Sequence, residues 1–269
     1  MNTNKNSYTF IYASIVVIIV AFLLAFVSSA LHSRQQKNID LDKMKQVLAS
    51  LNVRNVKDAE AAYKQYIVSE QLLSADGSVA TSTQPYEMGN KGGDKGCAFL
   101  CTTADILDKR PVFVADVKGE TKYVFPLYGN GLWGPIWGYV SLNADRQTVY
   151  GVYFSHASET PGLGAEITNH EKFQVPFGGK HVMKDGNVAL SVVKNGNVKD
   201  AEFEVNGLSG ATFTSKGVGE MLQKDLTAYA AFLGADSPAA GCCEANKEQC
   251  QHECGKGEHE CGKTAESNQ

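Results

Sequence analysis

Gly129-Asn130-Gly131-Leu132-Trp133-Gly134, followed by Pro135-Ile136-Trp137-Gly138, is the stretch whose reading decides the fold. It matches G-x-G-x-x-G and follows a strand-like run. A dinucleotide-binding βαβ unit requires a helix to open at the last glycine. Pro135 and Gly138 stand there instead, and another strand-like run follows. A doubly wound parallel sheet is therefore excluded, and no site for NADH is expected. What remains is a glycine-rich turn between two strands. It carries Trp133 and Trp137, the only tryptophans of the chain. They either stack on a planar ligand or pack in the core.

Working outward, strand-like runs cover 112–117, 123–128, 138–142, 149–155, 188–193 and 198–205. Asn143-Ala144-Asp145-Arg146 and Asn195-Gly196 lie between successive runs and read as hairpin turns. Residues 40–72 read as helical, with Leu41, Met44, Leu48 and Leu51 and then Ala59, Tyr63, Tyr66 and Ile67 at helical spacing. Residues 74–96, with Pro85 and Gly92-Gly93, read as a long loop. A last helix is expected from Lys216 to Leu233, burying Val218, Met221, Leu222, Leu226, Tyr229 and Leu233. Clustered strands with flanking helices give an α+β fold with a mixed, largely antiparallel sheet.

The two ends differ from this body. No Asp, Glu, Lys or Arg occurs between Asn6 and Ser33. The apolar block from Phe10 to Leu31 spans about 33 Å as a helix, enough for a bilayer core. A cleaved signal peptide is the competing reading, with Ser28-Ser29-Ala30 resembling a cleavage site. The block is longer than such segments usually are, and Lys5 is its only upstream basic residue. A retained single-pass anchor over residues 1–34 is the expectation. Arg34, Lys37, Lys43 and Lys45 follow it, and a bare Lys/Arg count would leave the C-terminal part cytoplasmic.

At the other end, residues 235–269 hold five of the seven cysteines (Cys242, Cys243, Cys250, Cys254 and Cys261). His252-Glu-Cys254-Gly-Lys256 recurs as His259-Glu-Cys261-Gly-Lys263. Seven acids against three lysines give this tail a charge of −4, the net charge of the whole chain, so the body is neutral. That balance gives no basic surface for nucleic acid. A mean hydropathy of −0.21 excludes a multi-span membrane protein. The tail reads as a solvated, disordered appendage, with metal capture or redox chemistry as alternatives; its spacing has no C-x-x-C pair. Cys97 and Cys101 are either a local pair or two small buried residues.

Two further segments have the residue types of a site. His156-Ala-Ser-Glu159-Thr160-Pro-Gly-Leu163-Gly164 leaves a strand in a tight turn, with a His and a Glu three apart. Ser209-Gly210-Ala211-Thr212-Phe213-Thr214-Ser215 precedes the last helix. Thr214 or Ser215 fits a helix cap, and the same place suits an anion.

Taken together, three segments resemble one family: Phe125–Tyr139, His156–Gly164 and Leu208-Ser-Gly-Ala-Thr-Phe-Thr-Ser215 behind a single N-terminal anchor. The family is NqrC, a subunit of the sodium-translocating NADH:quinone oxidoreductase, related to RnfG of the Rnf ferredoxin:NAD oxidoreductase. The resemblance covers the chain to about residue 234 and implies one FMN-binding domain over 35–234. It implies that FMN is held covalently, its phosphate esterified to Thr212 by a flavin transferase that takes FMN from FAD. It implies that Leu132, Trp133 and Trp137 border the flavin ring and that Glu159, Thr160, Leu163 and Gly164 line its ring or ribityl side, near His156. Ser209 and Thr214 would help hold the phosphate, and Gly210 and Ala211, beside the acceptor in the cofactor site, would leave room for the bulky donor enzyme. The family's transferase motif opens with Asp where this chain has Asn206. Implied partners are the other members of a six-subunit membrane complex. The implied role is a relay of single electrons through an extracytoplasmic domain on the periplasmic side of the inner membrane, against the Lys/Arg count.

Overall fold

The computed structural model describes residues 6–88 and 97–234; the Cys-rich tail expected over 235–269 lies outside the described residues. Its elements in chain order are α1 (Asn6–Ser50), α2 (Ala59–Tyr66), β1 (Ile67–Leu73), β2 (Val79–Thr83), α3 (Asp105–Lys109), β3 (Pro111–Val117), β4 (Glu120–Asn130), β5 (Pro135–Leu142) and β6 (Val149–His156). Short strands β7 (Met183–Lys184), β8 (Asn187–Val188), β9 (Ser191–Val193) and β10 (Glu204–Asn206) precede α4 (Thr212–Ala228) and α5 (Ala230–Gly234).

Six strands form one antiparallel sheet in the order β2-β1-β3-β4-β5-β6. Alternation along β5 assigns its side chains to two faces. Ile136, Val140 and Leu142 join Phe125, Leu127 and Val152 under α4, whose Val218, Met221, Leu222 and Leu226 are buried against them. Tyr139 points the other way, into a second core with Phe113 and Val124 of the sheet, Met44, Val47, Leu48 and Leu51 of α1 and its end, and Tyr63 of α2. The sheet is thus covered on both faces, and the α+β, largely antiparallel expectation holds.

α1 is one helix of 45 residues. Its apolar part is exposed throughout and is, among the described residues, the one segment long and apolar enough to cross a membrane. Its last eleven residues are part of the second core: Asp40, Met44 and Val47 to Ser50 are buried. The apolar stretch and the first part of the body therefore share one helix, and residue 34 lies within it.

Several expectations are corrected. Residues 67–72 are strand β1, not helix: Ile67 is extended (φ −84, ψ 120) and ends α2. Tyr63 and Ile67 are both buried, so helical spacing continues by coincidence across the junction. The 74–96 loop contains β2, which returns onto β1 after a turn in which Asp76 accepts from the Ser78 N–H. The 188–193 run is broken, because the Ala189 and Leu190 N–H groups turn to donate to Val182 O. In 198–205 only the end is strand, because the Glu204 carboxylate accepts from the Lys199 and Asp200 N–H groups and curls the chain before it.

β9 and β10 pair in parallel, so Asn195-Gly196 is not a hairpin turn. The Gly196 N–H instead donates to Asn206 Oδ1 (2.9 Å), a role an Asp at 206 would fill equally. The Asn143–Arg146 hairpin is as expected, with the Asn143 N–H bonded to Thr148 O. The last helix begins at Thr212, four residues early, and breaks at Tyr229; its expected inner stripe is buried.

Candidate functional site

The three segments singled out from the sequence meet at the start of α4, and Glu159 joins them. Its side chain is 5% exposed. Oε1 accepts from the Trp133 N–H (2.9 Å) and Oε2 from the Thr214 hydroxyl (2.7 Å). Its own N–H donates to His156 Nδ1 (3.1 Å). Hydrogen bonds to an ionised group are stronger than neutral ones, and stronger still out of water. One carboxylate thus fixes the tryptophan turn, its own loop and the first turn of α4.

Backbone contacts tighten the same junction. The Gly131 N–H donates to Gly134 O (2.8 Å), closing the turn that holds Leu132 and Trp133 outward. Ser158 Oγ donates to Trp133 O (2.9 Å). Thr160 is exposed, and its carbonyl accepts from the N–H groups of Leu163 and Ala165. Gly210 has φ +77, and a Cβ there would come within 2.9 Å of Leu163 Cδ2, so the two loops touch.

Gly164 packs against Glu159, and a methyl at 164 would overlap both Glu159 Oε2 and Thr214 Oγ1. Gly164→Ala is therefore expected to force this hydrogen bond apart. The loss is about 1–3 kcal/mol, as for other overpacked sites, and would appear as a lower urea midpoint at unchanged slope. An unchanged midpoint would contradict this geometry.

The hydroxyls of Ser209–Ser215 separate into two kinds. Thr214 is buried and bonded to Glu159; Ser215 is buried and its Oγ accepts from the Leu208 N–H (2.9 Å). Neither caps the helix. The residue before α4 is Ala211, and no side chain caps the first turn, which corrects the capping reading. Ser209 and Thr212 are exposed. A helix start without a side-chain cap, at the positive end of the dipole, favours a negatively charged group from outside.

Part of the surface near the start of α4 is apolar. Leu132 (50%), Trp133 (66%), Leu163 (44%) and Phe213 (69%) are large exposed hydrophobic residues contributed by all three segments. A planar aromatic ligand would find ring and alkyl surface here. Phe213 is the addition that the sequence reading lacks. Its signal is an aromatic in the first turn that lies off the buried stripe. Trp137 is not brought to this surface. It lies on β5 beside Tyr139 and faces α1, where its Nε1 donates to Gln46 Oε1 (3.1 Å). His156 reaches the site only through its bond to the Glu159 backbone.

Cys97 and Cys101 lie apart from this site and are free thiols. Cys97 donates to the buried Glu70 (2.6 Å); burial and that neighbouring carboxylate push its thiol up to about 12, so it stays protonated.

With this geometry in view, comparison with known proteins is direct. A family model for the FMN-binding domain matches residues 131–227, from the tryptophan turn to the end of α4. NqrC of the Na(+)-translocating NADH-quinone reductase of Haemophilus ducreyi is 29% identical over 229 residues, covering 81% of this chain and 88% of that protein. The corresponding Pasteurella multocida protein is 41% identical over 103 residues, 38% of this chain and 39% of that one. The crystal structure of Parabacteroides distasonis NqrC superposes with a TM-score of 0.68 at 40% identity, covering 77% of this chain and 98% of that one. The Shewanella oneidensis NqrC structure, 24% identical over 74% of this chain and all of that one, shares the fold with a TM-score of 0.56. On the strength of these matches, the chain belongs to the NqrC family of the Na(+)-translocating NADH-quinone reductase, with an FMN-binding domain.

Proposed function

We propose that the chain carries FMN as a phosphoester on Thr212 and relays single electrons between neighbouring members of a sodium-translocating NADH:quinone reductase. We further propose that α1 anchors it in the inner membrane with residues 35–234 on the periplasmic side, where a flavin transferase loads it. The observation that carries the reading is the sorting of hydroxyls at the start of α4. Thr214 and Ser215 are buried and occupied, while Thr212 is exposed at the first position of a helix without a side-chain cap.

In the loading step the Thr212 oxygen bonds to the phosphorus of the FMN half of FAD. The pyrophosphate P–O bond to AMP breaks, AMP leaves, and the hydroxyl proton is released. Bound FMN supplies one-electron chemistry, while the protein supplies placement and surroundings. Leu132, Trp133, Leu163 and Phe213 offer apolar surface to the ring. Glu159 holds the loops that carry them and keeps Thr214 from competing as acceptor. The neutral body and the exposed apolar rim suit docking to other membrane subunits.

The test uses the full-length chain with FAD and a purified flavin transferase, followed by denaturing electrophoresis. A fluorescent band is expected. A dark band under conditions that load another NqrC would end the covalent-flavin reading.

A further inference from the structure

Beside Thr212, on the flank away from Glu159, lies a cavity of about 220 Å³. It is bounded by the ends of β9 and β10 and the first turn of α4, with Val192, Lys194, Gly207, Leu208, Thr212 and Lys216 in its wall. The wall contains two lysines and no carboxylate. Lys216 is four residues after Thr212, so the two share a helix face with Cβ atoms about 6 Å apart. Helical side chains lean toward the N-terminus, which brings the Lys216 stem over the turn that Thr212 begins. Its present partner is Glu220 at 3.2 Å, in a pair whose side chains are 71% and 67% exposed. Such a pair holds its members weakly, so Lys216 is free to turn to a better anion. Lys194 approaches from the β9 side and makes no ion pair among the described residues.

The opposite flank is set differently. There Glu159 holds a buried carboxylate against Thr214, and a second anion would be repelled. An anionic group bonded to Thr212 therefore has one favourable side. We infer that Lys194 and Lys216 are positioning residues for the phosphate esterified to Thr212, and would hold its unesterified oxygens in this cavity. The inference rests on Thr212 being the flavin acceptor. It adds that this chain pairs the phosphodiester with two of its own cations.

The experiment compares the full-length wild type, the Lys194→Gln/Lys216→Gln double variant and the exposed-lysine control Lys172→Gln, each loaded with FAD and flavin transferase. Initial loading is read by in-gel flavin fluorescence, and the phosphodiester of the loaded chain by its ³¹P resonance. The double variant is expected to load about tenfold more slowly, the size of effect that losing charge-assisted contacts gives. Raising the salt should narrow the gap. Its ³¹P resonance should move from the wild-type position, while Lys172→Gln changes neither reading. Loading at the wild-type rate with an unmoved resonance overturns the inference. So does slow loading with an unmoved resonance, which would assign the lysines to the encounter with the transferase. If the wild type itself fails to load, it is the Thr212 reading that fails.

Discussion

The Thr212→Ala variant is expected to give a dark band after exposure to transferase and FAD, with a fold as stable as the wild type. The two halves of this result come from the same local geometry. Thr212 is exposed and opens α4, and among the described residues its hydroxyl has no hydrogen-bond partner. Its removal breaks no contact, and alanine is the best helix former. Stability should stay within about 0.5 kcal/mol of wild type, as for most surface substitutions. Loss of flavin should nonetheless be complete, because no other hydroxyl in the segment is both free and correctly placed. Thr214 would have to leave Glu159, and Ser215 would have to leave the Leu208 N–H. Ser209 is exposed but lies before the helix, three residues away, so Ser209→Ala should remain fluorescent. Thr212→Ser restores the nucleophilic oxygen and should restore the band. Fluorescence in Thr212→Ala would move the acceptor elsewhere. A dark Thr212→Ala that also melted early would remove the claim that the hydroxyl serves chemistry alone.

The features legible in the sequence are those set by neighbours along the chain. Pro135 after the glycine turn excludes a helix, and with it a nucleotide fold, and β5 begins at that proline. The stripe from Val218 to Leu233 is buried as its spacing requires. What is not legible needs knowledge of the other side of a contact. Trp133 and Trp137 look equivalent in sequence. Strand parity puts Trp137 with Tyr139, and only the packing of α1 and α4 decides that this face is the one away from Thr212. Thr214 and Ser215 resemble caps by position, and a buried carboxylate 55 residues upstream takes the Thr214 hydroxyl. The strand in 67–72 is masked because Ile67 continues a helical stripe before its backbone extends onto β3.

The most costly single substitution should lie far from the flavin site, at Glu70. This glutamate is on β1, has no exposed surface, and stands in the sequence between Ser69 and Gln71. It accepts four hydrogen bonds. Oε1 takes the Tyr63 hydroxyl and the Tyr86 N–H, both at 2.8 Å. Oε2 takes the Cys97 thiol at 2.6 Å and the Phe99 N–H at 2.8 Å. Its partners come from α2, from the segment after β2 and from the turn before α3, so one carboxylate ties three stretches to the sheet. Burial, with Glu70 close by, also holds the Tyr63 hydroxyl well above its ordinary range, which keeps the donor protonated at any working pH. Glu70→Ala would leave these donors buried without an acceptor and open a void beneath Tyr63 and Phe99. The expected loss is about 3 kcal/mol or more, since each buried donor left without an acceptor costs about 1–3 kcal/mol. That is a large part of a domain's total stability. Glu70→Gln should fare little better, since its NH₂ must face two of the donors. The measurement is urea unfolding of the full-length chain in detergent, followed by circular dichroism. The contrast with Thr212 makes it decisive. Glu70→Ala chains that remain folded at low temperature should still accept flavin, because the start of α4 lies on the opposite face of the sheet. A Glu70→Ala protein as stable as wild type would mean that water or a shifted backbone satisfies all four donors, and the carboxylate would then not be what ties this side of the fold together.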